Sequence, residues 1–324
     1  MSVAGILSGA LVWGLIWYPY RVLQDAGISG PLATLITYLL AMLFGAFMLP
    51  RVWRELRPQD RKGLPSEQEE LKRLLLNEGV RRSCKGLKPR HPALPASGWW
   101  AVLLVFSAGW ANFGYVLAML HGEVMRVLLL FYLAPLWTIL FSYWLLGERL
   151  NRYGYLVITL SLCGGFIMLW EPRLGVPFPK NLSEWLGLSA GIGFALSNVV
   201  SRRAAHLSVE AKAVSIWFGT ALLTAPLLWW QGGWQVSGIE TEAWLILGML
   251  GIALCSCSFA VQYGVTHLPA NRAMLLFLFE LVIAALASYF LANEAMGMRD
   301  WLGALLIVSA SLLSGKLCSG KSAG

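Results

Sequence analysis

Residues 125–150 read MRVLLLFYLAPLWTILFSYWLLGERL, and 146 positions later residues 271–296 read NRAMLLFLFELVIAALASYFLANEAM. Arg126 falls on Arg272, one Leu-Leu-Phe run falls on the other, and Glu148 falls on Glu294. Each copy carries an apolar run of membrane-spanning length, roughly 20 residues for a hydrocarbon layer of about 30 Å. Each is flanked by further long apolar stretches. A chain that repeats a whole set of such helices is built as two related halves, which is the plan of many secondary transporters. The expectation is movement of a solute across a membrane.

Composition agrees with that reading. Mean hydropathy is +0.63, and charged residues make up 13% of the chain, about half of the roughly 25% usual in a soluble domain. The chain holds 16 Trp and 33 Gly; Trp favours membrane interfaces and Gly lets helices pack closely. The net charge of +8 follows loops rather than a nucleic-acid motif, so no nucleic-acid partner is expected. Of the five cysteines, Cys163, Cys255 and Cys257 fall inside apolar runs, while Cys84 and Cys318 fall in a loop and the tail. With no clustered histidines beside them they read as small packing residues, and neither a metal nor a cofactor is expected. The first apolar run lacks a basic leader and reads as a span that is kept.

Outward from the repeat, apolar spans fall at about 2–22, 31–49, 98–119, 124–146 and 153–170, then at 184–201, 212–230, 242–265, 271–291 and 301–316. The two halves are therefore 1–170 and 184–316. Five spans per half is an odd number, so the halves enter the membrane from opposite sides and form inverted repeats. The fold class expected is all-α and integral to the membrane, with ten transmembrane helices. With both termini cytoplasmic, the inner segments hold 20 Lys and Arg and the outer ones 5, as the positive-inside rule requires. The basic segment 51–97 supplies 12 of the 20 and resembles an insertion, since the second half has no counterpart. It contains a short amphipathic stretch at 66–77, suited to solvent or to anionic lipid.

A charge inside a bilayer costs several kcal/mol (order of magnitude) unless it is paired or hydrated, so each such residue is a candidate for function. Glu280 is the sharpest, eight positions beyond Arg272 and fourteen before Glu294. It suits a substrate amine, a transported proton or a basic partner on another helix; joining two helices is the plainer role. Trp110, Asn112 and Tyr115 cluster on the third span, where Asn112 and Tyr115 share a face. Tyr132, Asn198, Gln262 and Tyr263 raise the same choice between contacting a solute and linking helices. Trp13 and Trp17, four apart, suit a cavity wall or an interface anchor. Arg126, Arg272, Glu148 and Glu294 stand at helix ends as gate or rim residues. Pro135, ten residues into the fourth span, is expected to kink it, and Leu281 stands at its repeat position. Gly5 with Gly9, and Gly187 with Gly191, have spacings suited to close helix contacts.

These features resemble the drug/metabolite transporter superfamily, in particular its EamA-type ten-helix members. The residues that carry the resemblance are FYLAPLWTILFSYWLLGERLNRYGYLVITLSLCGG at 131–165 and GALVWGLIWYPYRVL at 9–23. The second copy departs from the pattern, with Leu281 for the proline and Asn293 for the glycine before the retained Glu294, and its following glycine, Gly303, lies three residues further on than Gly154 does in the first. Thr34 or Thr37 stands where the family often has an arginine. The resemblance implies secondary transport of small metabolites, often export of amino acids. The nearest architecture is the aromatic amino acid exporter type, with two inverted five-helix repeats around a central cavity that opens to alternate sides. Spans one, three, four, six, eight and nine are expected to line the path. A proton or an exchanged solute would supply the drive, with Glu280 its candidate carrier. The setting implied is the cytoplasmic (inner) membrane, crossed many times by a monomer or weak dimer.

Rival classes fit less well. A membrane enzyme needs a catalytic cluster at matched depth, whereas His121, His206 and His267 fall at helix ends, so no catalytic residue is expected. A channel would show a repeated ring of polar groups. A carrier of another solute or a drug fits the same architecture; a nucleotide-sugar suits it less, because no Arg or Lys stands at mid-helix.

Overall fold

The computed structural model describes residues 2–48, 50, 52, 99–121, 124–148, 152–170, 179–234, 240–291 and 297–313. Glu294 and the stretch at 66–77 lie outside the described residues, as do the side chains of Trp17 and Arg126. Everything described as regular structure is helical. The helices are α1 (Ser2–Asp25), α2 (Gly30–Phe44), α3 (Trp99–His121), α4 (Val124–Phe131), α5 (Ala134–Phe141), α6 (Arg152–Leu169), α7 (Leu182–Arg203), α8 (Val209–Gln231), α9 (Thr241–His267), α10 (Ala270–Phe277), α11 (Phe279–Leu291) and α12 (Met298–Leu313).

Among the described residues, six segments are long and apolar enough to cross a membrane: Ser2–Asp25, Trp99–Ala118, Val127–Leu146, Val209–Gln231, Thr241–His267 and Ala270–Leu291. Gly30–Phe44, Gly154–Ile167 and Trp301–Ala310 are shorter apolar helices. The molecule is thus an all-α, multi-pass integral membrane protein. Helix α7 has spanning length but falls outside the apolar set, because its run LSEWLGLSAGIGFALSNVVSRR is rich in Ser and Gly. It packs against α3, α4, α5, α9 and α10, so its small residues meet protein rather than lipid. Large apolar side chains such as Phe106, Leu222, Trp229, Leu245 and Leu305 are exposed on the outside of the bundle, where lipid covers them.

Helix ends follow their sequences. Ser29, Asn181 and Ser208 cap α2, α7 and α8 by accepting from the backbone N–H of Leu32, Glu184 and Ala211. Gly232, with φ +63°, closes α8 in the left-handed conformation that glycine tolerates.

Glycines bring the helices together. A Cβ on Gly109 of α3 would lie 2.6 Å from the Gly219 carbonyl of α8, so these helices touch backbone to backbone. The two glycine pairs at the repeat-related helices take different neighbours: Gly5 and Gly9 pack α1 against Ala260 and Val261 of α9, whereas Gly187 and Gly191 pack α7 against Val127 and Phe131 of α4. The contact of α1 equivalent to the latter is made by Gly14, set against Ile283 and the Glu280 carbonyl. Helix pairings recur along the chain: α1 with α9 and α7 with α3, α2 with α9 and α8 with α3, α1 with α11 and α7 with α5, while α2 packs against α8 and α6 against α12.

Candidate functional site

Both copies of the opening stretch are broken near their middle. The first stops at Phe131 and resumes at Ala134, with Leu136 N–H donating to Leu133 O at 2.9 Å. Pro135 sits in the first turn of α5, where its missing N–H costs little. The second copy stops at Phe277 and resumes at Phe279, with Leu281 N–H donating to Leu278 O at 3.1 Å, although it has no proline. The Pro135 kink therefore has a counterpart despite Leu281. The tightened turn in α10–α11 is set by packing, with Gly14 of α1 lying directly on it.

Glu280 occupies the first turn after that break, where unpaired backbone N–H groups favour a negative charge. The Tyr132 hydroxyl, at the break of the other copy, lies beside its carboxyl, and Tyr115 of α3 and Cys257 of α9 are its other near titratable neighbours. Four helical segments thus converge on one carboxyl.

Beside it lies a layer of aromatic rings. Trp13 stands 5.7 Å from Phe277 and 6.5 Å from Phe194, centroid to centroid. Phe194 stacks on Phe131 at 5.5 Å and meets Phe277 at 5.4 Å. Tyr115 and Tyr132 complete the layer at 5.0 and 5.4 Å from Phe131. Each such pair adds about 0.5–1.5 kcal/mol beyond burial and offers π faces to a solute. Phe131 and Phe277 are the repeat-matched phenylalanines of the Leu-Leu-Phe runs. That match was the signal in the sequence that marked them; nothing distinguished Phe194.

Other expected site residues are placed elsewhere. The Tyr38 hydroxyl donates to Asn112 Oδ1 at 2.8 Å while Asn112 Nδ2 donates to Ala108 O, so this amide ties α2 to α3. Trp110 is more than a third exposed and its Nε1 donates to Ser189 Oγ, joining α3 to α7. Gln262 Oε1 accepts from Ser201, which links α9 to α7. Tyr263 faces outward, its ring against His267 at 4.2 Å. The Thr34 and Thr37 hydroxyls bond back to Gly30 and Ala33 carbonyls within α2. Asn198 is buried within the bundle.

The end of the bundle below the aromatic layer is closed by a latch. Glu148 Oε1 accepts from Arg202 Nε at 2.7 Å, and its Oε2 accepts the Ala270 N–H at 3.2 Å. Arg202 also donates to the Leu268 carbonyl. Asn271 Nδ2 donates to Ser142 Oγ at 3.0 Å, at the start of the π-helical turn Ser142–Leu146 that ends α5, a feature frequent at functional positions. Three chain segments are thereby tied at one point: the end of α5, the end of α7 and the α9–α10 turn. Arg202 reads in the sequence as a loop cation, and only the fold reveals its partner. Lys212 also reads as a loop cation; it is fully buried, donating to Thr266 Oγ1 at 2.9 Å. The Arg272 Nε is buried with no hydrogen-bond partner among the described residues. Among those residues no group of His, Cys, Asp and Glu could hold a metal ion.

The Glu280 carboxyl thus lies at a helix break inside a membrane bundle, with Tyr132 and Tyr115 as neighbours. The sequence matches the EamA-like transporter family over residues 84–170 and 181–315, well over half of the chain. The chain belongs to that family. It is a carrier of small molecules across a membrane rather than an enzyme.

The transporter is 27% identical over 201 residues to an uncharacterized transporter of Archaeoglobus fulgidus, a match covering 62% of this chain and 70% of that one. It is 29% identical over 176 residues to the uncharacterized transporter YwfM of Bacillus subtilis, covering 52% and 58% respectively. A solved crystal structure superposes with a TM-score of 0.69 at 19% identity, covering 98% of this chain and 99% of the other; that likeness speaks to the fold alone.

Proposed function

We propose that this transporter exports an amino acid across the cytoplasmic membrane by alternating access, as two inverted five-helix repeats (1–170 and 184–316) rocking around a central site. Glu280 carries the reading. A carboxyl set at a helix break, beside Tyr132 and Tyr115 and next to a layer of aromatic rings, suits an ammonium group attached to an apolar side chain. The same carboxyl takes a proton when the solute leaves, which couples export to proton entry. The paired helix exchanges, α1–α9 with α7–α3 and α1–α11 with α7–α5, favour two related halves. The excess of basic residues on one side, 20 against 5, favours cytoplasmic termini. In that orientation the Glu148–Arg202 latch lies on the cytoplasmic side and must part for solute to enter from the cell interior.

A hydrophobic amine drug would meet the same carboxyl and rings, so a panel of solutes decides between them. Proteoliposomes are loaded for uptake and counterflow with labelled Phe, Trp, Thr and Met, and with aromatic amines, with and without a pH gradient. Saturable amino acid transport, driven by the gradient in the wild type and uncoupled from it in Glu280→Gln, is the expected result. Movement of amines alone would leave a drug carrier. Gradient-driven amino acid transport that persists in Glu280→Gln would reduce Glu280 to a helix contact.

A further inference from the structure

Below the aromatic layer, two buried hydrogen-bonding groups lack partners. The indole Nε1 of Trp137 and the Nδ2 of Asn198 are both buried, and neither has a hydrogen-bond partner among the described residues. Asn198 as a whole is 4% exposed. A buried polar group left unpaired costs about 1–3 kcal/mol, so it marks a place where a partner is expected.

The two groups lie on the adjacent helices α5 and α7, which pack together. Val127 packs on Gly187 and Phe131 on Gly191, so α4–α5 and α7 run side by side in a register offset by sixty residues. Helix α7 also packs against α5; Asn198 lies one turn beyond Phe194 on α7, and Trp137 one turn beyond Ala134 on α5. Ala134, Trp137, Phe194 and Ala195 belong to one packed cluster with Phe277, which places the indole in the same interior. Asn198 follows Phe194 by one helical turn and precedes Arg202 by one, so it lies on the α7 face that runs from the aromatic layer to the latch. Trp137 follows Tyr132 by five residues, on the far side of the α4–α5 break.

An indole N–H only donates, and a carboxamide offers donors as well. We propose that Trp137 and Asn198 form a second polar subsite, which takes the carboxylate of the solute whose ammonium group is held at Glu280. This rests on the amine reading of Glu280 and deepens it. The solute is then an α-amino acid held at both ends, its side chain against Phe131, Phe194 and Phe277.

The test is equilibrium binding to the purified full-length transporter, using four probes: phenylalanine, phenethylamine (no carboxylate), phenylalanine methyl ester and phenylpropionate (no amine). It is run on wild type, Trp137→Phe, which keeps a ring and removes the N–H, and Asn198→Asp, which sets an anion against the carboxylate. Thermal unfolding establishes that each variant is folded. Wild type should prefer phenylalanine over phenethylamine by about 10–100-fold, the range for hydrogen bonds to a charged group. Both variants should lose that preference while binding phenethylamine within about twofold of wild type. Equal losses for phenylalanine and phenethylamine, or a preference that survives in both variants, would overturn the subsite. If phenethylamine fails to bind but phenylpropionate binds in a Trp137- and Asn198-dependent way, the amine reading of Glu280 falls and the acceptor subsite stands. If no carboxylate probe depends on either residue, the position holds water alone and the proposal falls.

Discussion

Arg202 Nε lies 2.7 Å from Glu148 Oε1, and with Ala270 and Leu268 on the same two side chains this one contact fastens three helix ends. Glu148 is 8% exposed and Arg202 23%, so the pair is drier than a surface salt bridge but open on the arginine side. Removing one partner of such a pair strands the other, at a cost on the order of 3 kcal/mol or somewhat less given the exposure of Arg202. Glu148→Ala should therefore lower the thermal transition more than the double variant Glu148→Ala/Arg202→Met does. A cysteine at Ser201 should react faster with a membrane-impermeant thiol reagent, added on the side where the latch lies, in either variant. Additive losses, the double variant falling by the sum of Glu148→Ala and Arg202→Met measured singly, would mean that the contact contributes no coupling.

The glycines of α3 and α8 predict a purely structural effect. Gly109 faces Gly219 with a virtual Cβ only 2.6 Å from its carbonyl, and backbone cannot rotate away as a side chain can. Gly109→Ala should destabilise the protein by about 1–3 kcal/mol, the usual range for overpacking. A control at Gly248, which has open space around its Cβ position, should be stable within about 0.5 kcal/mol. Thermal unfolding in one detergent compares the two directly.

Pro135 lends itself to a test of what breaks the helix. Because α10–α11 breaks at the equivalent place with Leu281 instead of proline, the first copy should keep its break in Pro135→Ala. Proline in the first turn of α5 leaves no hydrogen bond to restore. The expected change in stability is within about 1 kcal/mol, with solute affinity unchanged. A crystal structure of the variant showing a continuous helix through Tyr132 would contradict this.

The all-α, multi-pass membrane character was legible in the sequence because long apolar runs are unambiguous in a membrane, and a charge inside one of them drew attention to Glu280. The partners were not. Asn112, Gln262 and Trp110 are residue types that suit a solute and a helix contact equally, and only tertiary geometry assigned them to Tyr38, Ser201 and Ser189. Lys212 stood near an apolar boundary that shifts by a few residues, so its complete burial was invisible from composition. Phe194 and Trp137 sit among many similar residues. Which of them faces the interior depends on helix rotation, and helix α7, polar and small on several sides, carries no periodic stripe to fix it.

Glu280 makes the last prediction, in pH. Under the proposed amine reading, an ammonium solute binds the ionised carboxyl and is displaced by a proton, so binding and protonation compete at one site. The groups facing it among the described residues are Tyr132 from the α4–α5 break, Tyr115 from α3 and Cys257 from α9, none of them basic. Linkage then requires apparent affinity to be constant above the titration of Glu280 and to weaken about tenfold per pH unit below it. Glu280→Gln, which cannot ionise, should bind the solute weakly and with the same constant at every pH from 5 to 9. Glu280→Asp should retain the competition while its shorter side chain weakens binding. Equilibrium binding across that range measures all three, and a Gln variant that still loses affinity on acidification would place the coupling proton on another group.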